Sequence, residues 1–263
     1  MAKIDSATLA FANRVADAAG AVIRPFFRAA AGIANKDKSG FDPVTEADKS
    51  AEEAMRALIR LERPGDAILG EEHGLEPGTS GRMWVLDPID GTRAFITGQP
   101  LWGTLIALEE NGERLIGIID QPVLRERFIG YAGTAEMRDP AGIHPLKVRV
   151  CAKLADAVVS TTHPWGYFAE HERACFERVA RAARMSRFGG DCYGYAMLAS
   201  GHIDIIIESQ LKHWDVAALI PVIENAGGIV TDWEGAPVRD GGRIVAAGDA
   251  RAHGEALAML NAG

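Results

Sequence analysis

The segment Asp87-Pro-Ile-Asp-Gly-Thr92 places two carboxylates three positions apart in the middle of the chain. Pro88 fixes the backbone between the two acids, and Gly91 permits a tight turn or a close approach to a ligand. Asp87 and Asp90 held in this way would repel each other. A hard cation with a preference for oxygen ligands would relieve that repulsion. The segment therefore indicates a divalent-metal site, with an ordinary Asp-Pro turn as the structural alternative.

Carboxylates also stand at the ends of three other apolar segments. Glu71 and Glu72 follow Ala-Ile-Leu-Gly, and a solvated loop is their structural alternative. Asp48 closes Asp-Pro-Val-Thr-Glu-Ala-Asp, where a capping box with Thr45 would also explain it. Asp215 follows His-Trp and opens a predicted helix, where the helix dipole favours an acid.

Such a set of acids supplies the parts that phosphate-ester hydrolysis needs. Two divalent ions about 3.5–4 Å apart can clamp the attacking and leaving oxygens, and one ion lowers the pKa of a bound water. Magnesium usually binds through a few carboxylates, waters and substrate phosphate. Backbone N–H groups after Gly91 could meet the phosphate at the start of a helix. We therefore predict a magnesium-dependent hydrolase of a small phosphate monoester.

Hydrophobic periodicity predicts the elements of the first half. Two helices are expected, over residues 4–30 and 45–63, with Pro25 kinking or ending the first. Buried strands at 67–70 and 83–86 each end in carboxylates. A hairpin of strands 104–108 and 114–120 crosses a Glu-Glu-Asn-Gly turn, and a third strand follows at 127–133.

The second half alternates strands and helices, which is typical of an α/β layer. Strands are predicted at 157–161, 203–208, 229–232 and 244–247, and helices at 172–184, 191–200, 216–225 and 252–260. Because residues 133–145 are rich in turn formers, we place the boundary between the halves there. We expect an N-terminal α+β half, 1–140, with most metal ligands, and a C-terminal α/β half, 141–263, with Asp215 and the substrate-selecting residues. Together they form one catalytic unit.

Composition excludes several classes of protein. The 263 residues carry a net charge of -8 without a Lys/Arg cluster, so no nucleic-acid partner is expected. The three cysteines match no zinc spacing or disulfide framework, which favours a reducing cytoplasm. No segment approaches the roughly 20 apolar residues of a membrane span, so no membrane partner is expected.

At this point the motifs match a known family. The chain resembles the inositol monophosphatase superfamily over nearly its whole length, with its sequence blocks in the family's order. The blocks are Asp42-Pro-Val-Thr-Glu-Ala-Asp48, Gly70-Glu-Glu72, Trp84-Val-Leu-Asp-Pro-Ile-Asp-Gly-Thr92, Trp214-Asp215, Ala226-Gly-Gly-Ile-Val230 and Val245-Ala-Ala-Gly248.

The resemblance implies a mixed α/β fold, the five-layer αβαβα sandwich of the inositol monophosphatase/sugar phosphatase type. It also implies a homodimer, two or three Mg²⁺ ions per active site, and inhibition by lithium. One magnesium would be held by Glu71, Asp87 and the Ile89 carbonyl. A second would be held by Asp87, Asp90 and Asp215, and a third, weaker ion would lie near Glu71.

The resemblance also assigns catalytic roles. Thr92 and Asp48 would orient and deprotonate the attacking water. The amides of Gly91 and Thr92 would bind the phosphate. Thr92 and Asp48, together with Glu71 and Asp90, which would hold the metals, make up the expected catalytic set.

Within the superfamily, residues 93–104 and 189–193 resemble the histidinol-phosphate phosphatase branch. L-Histidinol phosphate carries an ammonium and an imidazole, so Asp191 and Glu208 are candidates for selecting it through charge-assisted hydrogen bonds. Asp191 could instead be the N-cap of the helix that follows. Arg93 would either contact the phosphate or pair with a nearby acid.

Two rival readings stay open. The substrate could be an inositol phosphate, a sugar bisphosphate or a 3′-phosphonucleotide within the same superfamily. A catalytically inactive binding or scaffold homologue is a rival of another class, but such a protein would usually lack a metal ligand. His163 and His213 are more simply packed or surface groups, and Trp102 is expected in the core or at a subunit contact.

Overall fold

The computed structural model describes residues 4–29, 33–35 and 43–262, with the backbone alone for 33–35 and 43–45. The helices of this part of the chain are α1 (Ser6–Ile23), α2 (Glu46–Glu62), α3 (Thr92–Ile96), α4 (Pro164–Tyr167), α5 (Glu170–Ala182), α6 (Asp191–Ala199), α7 (His213–Ala217), α8 (Leu219–Asn225) and α9 (Ala250–Leu260), with a 3₁₀ turn at Leu154–Asp156. None of these helices has the length and apolar composition that crossing a bilayer requires.

The strands form three sheets among the described residues. They are β1 (Ile33–Asn35), β2 (Pro43–Thr45), β3 (Ala67–Gly70), β4 (Gly74–Glu76), β5 (Arg82–Asp90), β6 (Gly103–Glu110), β7 (Glu113–Gln121), β8 (Glu126–Tyr131), β9 (Thr134–Asp139), β10 (Gly142–Pro145), β11 (Val158–Thr161), β12 (Met185–Phe188), β13 (Ile205–Leu211), β14 (Ile229–Asp232) and β15 (Gly242–Ala247). β1 and β2 form a small two-stranded sheet.

The larger sheet has eight strands in the order β10-β9-β8-β7-β6-β5-β3-β4. Neighbouring strands are antiparallel except for β3 and β5, which are parallel. Side chains alternate between the two faces along each strand. Trp84 and Leu86 pack with α1 and α2 on one face, whereas Val85 joins the core shared with α6 and α8 on the other.

The second sheet has five strands in the order β12-β11-β13-β15-β14. Ile206 faces the same central core as α6 and α8, while Ile205 and Ile207 face α5 and α9. The layers therefore run helix, sheet, helix, sheet, helix. The predicted five-layer αβαβα sandwich is confirmed.

Most predicted elements are present, with shifted ends. The first helix ends at Ile23, two residues before Pro25. The predicted hairpin joins β6 and β7 through Asn111 and Gly112. Both residues have positive φ, as required by the two-residue turns whose twist matches that of the flanking strands.

Two predictions were wrong in detail, and several short elements were missed. Residues 133–145 are not only turns: they form the β9–β10 hairpin at the edge of the large sheet. The helix predicted over 216–225 is two helices, α7 and α8, broken at Ala218. Pro221 explains the break because its ring is tolerated in the first turn of a new helix but not inside a continuous one. The short elements β4, α3 and β12 were not predicted, since three to five residues carry little periodic signal.

Candidate active site

A cavity of about 450 Å³ lies between the eight-stranded and the five-stranded sheet, and residues of both halves of the chain line it. Six acidic residues share its wall, namely Glu71, Asp87, Asp90, Asp191, Glu208 and Asp215. The structure thus brings together acids that are up to 144 positions apart, 215 minus 71, in the sequence.

A β-bulge explains how Asp87 and Asp90 meet. Both residues lie on β5, and side chains three apart on a regular strand would point to opposite faces. Opposite Asp87 lies Leu105, but opposite Asp90 lies Gly103, so β5 has one residue more than β6 in this interval. The extra residue turns both carboxylates to one side. The segment that an ordinary Asp-Pro turn would have explained is instead an irregular strand.

Asp87, Asp90 and Asp215, called the acid triad below, have carboxylate oxygens within 4.8 Å of one another. Asp87 is buried, and its two partners are partly exposed. Burial raises the pKa of Asp87 well above its ordinary value, and the charges of Glu71, Asp90 and Asp215 raise it further. Burial and the charge of Asp90 also raise the pKa of Asp215 well above its ordinary value.

The hydrogen bonds of the acid triad leave part of it unsatisfied. Asp90 Oδ2 accepts from the Cys192 amide at 2.6 Å, and Asp215 Oδ2 accepts from the Lys212 amide at 2.6 Å. Asp215 therefore caps α7 as well as facing the cavity. Asp87 Oδ1 is buried and has no hydrogen-bond partner in the described part of the chain. A set of converging carboxylate oxygens, one of them unpaired, fits a hard divalent cation.

The turn that carries Glu71 is held from behind by a buried ion pair. Glu52 is 0% exposed and accepts from the amides of Glu72 at 2.7 Å and His73 at 3.1 Å. Arg56 donates to Glu52 Oε1 at 2.7 Å and also to the Gly74 carbonyl. We call Glu52 and Arg56 the buried ion pair. It fixes the backbone on which Glu71 reaches the cavity.

The other predicted catalytic residues, Thr92 and Asp48, and the predicted phosphate-binding residue Gly91 are found near the acid triad. Thr92 and Gly91 line the cavity, and Thr92 Oγ1 donates to the Ile89 carbonyl at 3.1 Å. Gly91 has φ of +88°, and a side chain there would meet Asp191 Cβ at 2.9 Å. Asp48 is buried in the first turn of α2, close enough for its charge to raise the pKa of Asp87. The Thr45 side chain of the proposed capping box and Asp42 lie outside what the structure describes.

The opposite wall is built around Glu208, a buried residue on β13. Glu208 Oε1 accepts from the amide and hydroxyl of Thr162 at 2.7 and 2.8 Å, and Oε2 accepts from the Thr161 hydroxyl at 3.2 Å. Burial raises the pKa of Glu208 to about 7, although the bonds from Thr162 oppose this rise. A second bulge follows Glu208, because β13 gains one residue on β15 before Leu211.

Asp191 is the first residue of α6 rather than its N-cap, which is Gly190. The N-cap alternative for Asp191 is therefore wrong. Its backbone has φ of +43°, which is unusual for a residue other than glycine. Burial raises its pKa well above the ordinary value, the charges of Asp90 and Glu208 add to the rise, and Arg93 opposes it.

Sequence reasoning missed two tyrosines on the cavity wall. The Arg93 guanidinium lies over the ring of Tyr167, 4.7 Å from its centroid. Tyr195 projects from α6 and is 3% exposed. Tyr193 and Tyr195 form a Tyr-x-Tyr pattern in α6. This pattern does not show which of the two rings lines the cavity, because that depends on how α6 packs.

Two other residues prove structural. His213 Nε2 lies 3.0 Å from Glu109 Oε1, away from the acids of the cavity, so its assignment as a packed group is confirmed. Trp102 is fully buried and packs edge-on against Phe95 with ring centroids 5.0 Å apart, which confirms a core position.

The inositol monophosphatase family model matches residues 5–262, nearly the whole chain, so the chain belongs to this family. Members of the family are metal-dependent phosphatases, and the acid triad is a cluster that could bind metal. The chain is a phosphatase of this superfamily.

Individual relatives narrow the comparison. Over 262 residues the chain is 45% identical to the chloroplastic bifunctional phosphatase IMPL2 of Arabidopsis thaliana, covering 95% of this chain and 74% of that protein. It is 37% identical over 228 residues to a histidinol-phosphatase of Mycobacterium tuberculosis, covering 86% and 87% of the two chains. A solved inositol monophosphatase from Zymomonas mobilis superposes with a TM-score of 0.86 at 40% identity, covering 98% and 99%.

Proposed function

We propose that this protein hydrolyses L-histidinol phosphate to L-histidinol and phosphate, with magnesium as its metal. The observation that carries the proposal is the pair of acids, Asp191 and Glu208, that shares the cavity with the acid triad. A metal site alone needs no further carboxylates. A substrate with a cationic leaving group gives these two acids a partner.

Two or three magnesium ions would be held by the acid triad, with Glu71 and the Ile89 carbonyl as further ligands. When bound, the metal would lower the pKa of a water and neutralise phosphate charge. The unpaired Asp87 Oδ1 and the mutual proximity of the three acids support this ligand set.

The chain's own groups would bind the phosphate and handle the proton. We assign phosphate binding to the amides of Gly91 and Thr92, at the point where the backbone comes close to Asp191. Because Thr92 Oγ1 donates its proton to the Ile89 carbonyl, its lone pairs remain acceptors for the attacking water. Asp48 would then receive the proton of that water.

The second wall would select the leaving group. Glu208 and Asp191 would pair with the substrate ammonium or imidazole, and Arg93 would close the site from the side of Tyr167. Ionised Asp191 is costly in this buried place, so a bound cation relieves an existing penalty.

Inositol 1-phosphate is the second candidate substrate. The similarity to the solved inositol monophosphatase of Zymomonas mobilis, at 40% identity, favours it. An inositol hydroxyl could hydrogen-bond to Glu208, but it would bring no charge to balance Asp191.

A phosphate-release panel with Mg²⁺ tests the proposal. We expect kcat/KM for L-histidinol phosphate to exceed that for inositol 1-phosphate by about 10- to 150-fold, since a charged hydrogen bond contributes about 1.5–3 kcal/mol. Fructose 1,6-bisphosphate and a 3′-phosphonucleotide complete the panel. A preference for any of these three would overturn the substrate assignment. If none of the four substrates is hydrolysed, the result would favour a non-catalytic homologue.

Matched variants test the two acids. Asp191→Asn and Glu208→Gln should narrow the preference while sparing p-nitrophenyl phosphate, whose leaving group carries no cation. If the preference persists in both variants, the acids are structural and Arg93 becomes the next candidate.

We also propose that residues 1–140 and 141–263 act as one catalytic unit in a cytoplasmic homodimer. The shared cavity supports the single unit, and the free cysteines of the described chain suit a reducing compartment. Light scattering on the purified protein would give the oligomeric state, and a monomer would contradict the dimer.

A further inference from the structure

A second, smaller cavity adjoins the active-site cavity. It has a volume of about 250 Å³ and is called the side cavity below. Arg93, Thr162 and Asp191 line both cavities, so the two spaces meet at these three side chains. A molecule bound at the acid triad could therefore extend past Asp191 into the side cavity.

Two separate segments of the chain build most of the side cavity. Five of its nine wall residues lie in segment 93–104, and two lie in segment 189–193. These are the segments whose sequence resembles the histidinol-phosphate phosphatase branch. Folding brings both of them to one cavity beside the active site. A cavity in this position can contact the leaving group of a substrate without contacting its phosphate.

The side cavity lies next to the turn that is proposed to bind the phosphate. A side chain at Gly91 would meet Asp191 Cβ at 2.9 Å and the Leu101 carbonyl at 3.1 Å. Asp191 and Leu101 both line the side cavity. Asp191 therefore stands between the proposed phosphate position and the side cavity.

L-Histidinol phosphate has its polar groups in the order that this arrangement requires. Its ammonium is on the carbon next to the ester carbon, and its imidazole is attached one carbon further on. An ammonium paired with Asp191 and Glu208 would place the ring near the entrance of the side cavity, because Asp191 lines both spaces. In inositol 1-phosphate the ring begins at the ester carbon, so that substrate has no second group to place there.

Gln99 gives the side cavity an acceptor for a ring N–H. Its Nε2 donates to Thr97 Oγ1 at 3.4 Å, and Thr97 Oγ1 donates in turn to the Arg93 carbonyl at 2.9 Å. The first bond uses the amide NH₂ group, and the amide oxygen is an acceptor. Ala94 and Leu101 add apolar surface to the same cavity, against which the ring carbons can pack.

We propose that the side cavity binds the imidazole ring of L-histidinol phosphate, with Gln99 Oε1 accepting a hydrogen bond from a ring N–H. The ligand class is a phosphate monoester whose leaving group carries an ammonium and, beyond it, a nitrogen heterocycle. This inference rests on the proposed function and adds a place for the ring, which the two selecting acids do not provide. It makes Gln99 a specificity-determining residue.

Two substrates isolate the contribution of the ring. L-Histidinol phosphate and O-phosphoethanolamine share the phosphate and the ammonium, but only L-histidinol phosphate has a ring. We expect wild type to favour L-histidinol phosphate at least about tenfold in kcat/KM, and Gln99→Leu to lower this ratio about fivefold. Gln99→Glu should raise the ratio about threefold near pH 6, where a good part of the imidazole is protonated, and less near pH 8.

Gln210 supplies the matched control, because it lines the active-site cavity and is not part of the wall of the side cavity. Gln210→Leu and Gln210→Glu make the same chemical changes, but they should leave the ratio between the two substrates within about twofold of wild type. Equal kcat/KM for the two substrates in wild type would overturn the inference. So would an unchanged ratio in both Gln99 variants, or the same shifts in the Gln210 variants.

Inhibition measurements distinguish a failure of this inference from a failure of the proposed function. The inhibition constants of L-histidinol phosphate and O-phosphoethanolamine against p-nitrophenyl phosphate hydrolysis give the same comparison without requiring turnover. If wild type prefers inositol 1-phosphate as substrate, the proposed function fails, but weaker inhibition by L-histidinol phosphate alone in Gln99→Leu would still support the side cavity. If wild type prefers L-histidinol phosphate and both Gln99 variants keep its inhibition constant, only the side-cavity inference fails.

Discussion

Glu52 and the acid triad are both largely withdrawn from solvent, but their negative charges are compensated in different ways. Glu52 of the buried ion pair has its cation on the same helix, since Arg56 lies one turn later at 2.7 Å. The acid triad has no Lys or Arg within salt-bridge distance in the described part of the chain. Its nearest charges are other acids.

This difference separates structure from function. A buried charge is tolerated when a partner and hydrogen bonds compensate it. The buried ion pair is compensated by the protein itself and serves to hold a backbone turn. The acid triad is not compensated in this way by the described residues. We infer that folding brings its three carboxylates into mutual repulsion and that a bound metal cation relieves this repulsion.

Removal of metal should have the largest effect, because no Lys or Arg of the described residues lies within salt-bridge distance of the acid triad to balance its charge. We expect a chelator to abolish phosphate release, and excess Mg²⁺ to restore it. The melting temperature should fall with chelator and rise with Mg²⁺, since a ligand of the native state stabilises it. Full turnover in excess chelator, with metal shown absent by elemental analysis, would contradict the metal assignment.

Asp90→Asn weakens the acid triad while keeping its shape. We expect kcat to fall at least about 10²-fold, comparable to the loss of one major electrostatic element. Without metal, the fold should be as stable as wild type or more stable. The reason is that burial raises the pKa of Asp90, so its ionised form costs stability at neutral pH. Near-normal kcat would remove Asp90 from the catalytic set.

Glu52→Gln breaks the compensated region instead. It leaves the Arg56 charge without its closest partner, and we expect a loss of about 3 kcal/mol, or roughly 10 °C in melting temperature. Glu53→Gln is the matched control, because Glu53 pairs with Arg60 at the exposed surface and should lose less than about 1 kcal/mol. Equal effects of the two variants would show that burial does not distinguish these pairs.

Lithium should inhibit partially at millimolar concentration, as family resemblance predicts for a metal position that this ion can occupy. Phosphate release measured at fixed Mg²⁺ against rising Li⁺ checks this. Sodium at equal ionic strength is the control, and identical curves for the two ions would argue against such a position.

The last expected effect is a pH dependence of substrate preference. Burial raises the pKa of Glu208 to about 7, so its charge appears as pH rises from 6 to 8. Preference for O-phosphoethanolamine over ethyl phosphate should grow about tenfold over this range, because only the first carries an ammonium. This pair avoids the titrating imidazole of histidinol. A ratio that is flat in wild type, or that rises equally in Glu208→Gln, would contradict the role of Glu208.

Local sequence patterns predicted most of the fold. Residues 67–70 and 104–108 are strands as their apolar runs indicated, and the Asn111-Gly112 turn carries its own conformational preference. Short elements such as α3 and β12 were not predicted, because so few residues do not show a hydrophobic periodicity. The division of 216–225 into two helices depends on how Pro221 packs at the start of α8.

The site was predictable in its chemistry and less so in its geometry. The type and spacing of Asp87 and Asp90 predicted a metal site, and the family resemblance added Asp215 to it. The bulge that turns the first two to one face cannot be read locally, because it depends on the register between β5 and β6. Tyr195 had no signal at all in the sequence.

By itself, the sequence determined which residue types stand at the ends of which apolar segments, and therefore that oxygen-ligand chemistry was available. The tertiary structure decided which of those acids are compensated. Glu52 and Asp87 are both acids beside apolar residues, yet one meets an arginine and the other meets more acids. The reason is physical: burial, distance and desolvation arise from contacts between distant segments, and those contacts set the charge state and partners of each group.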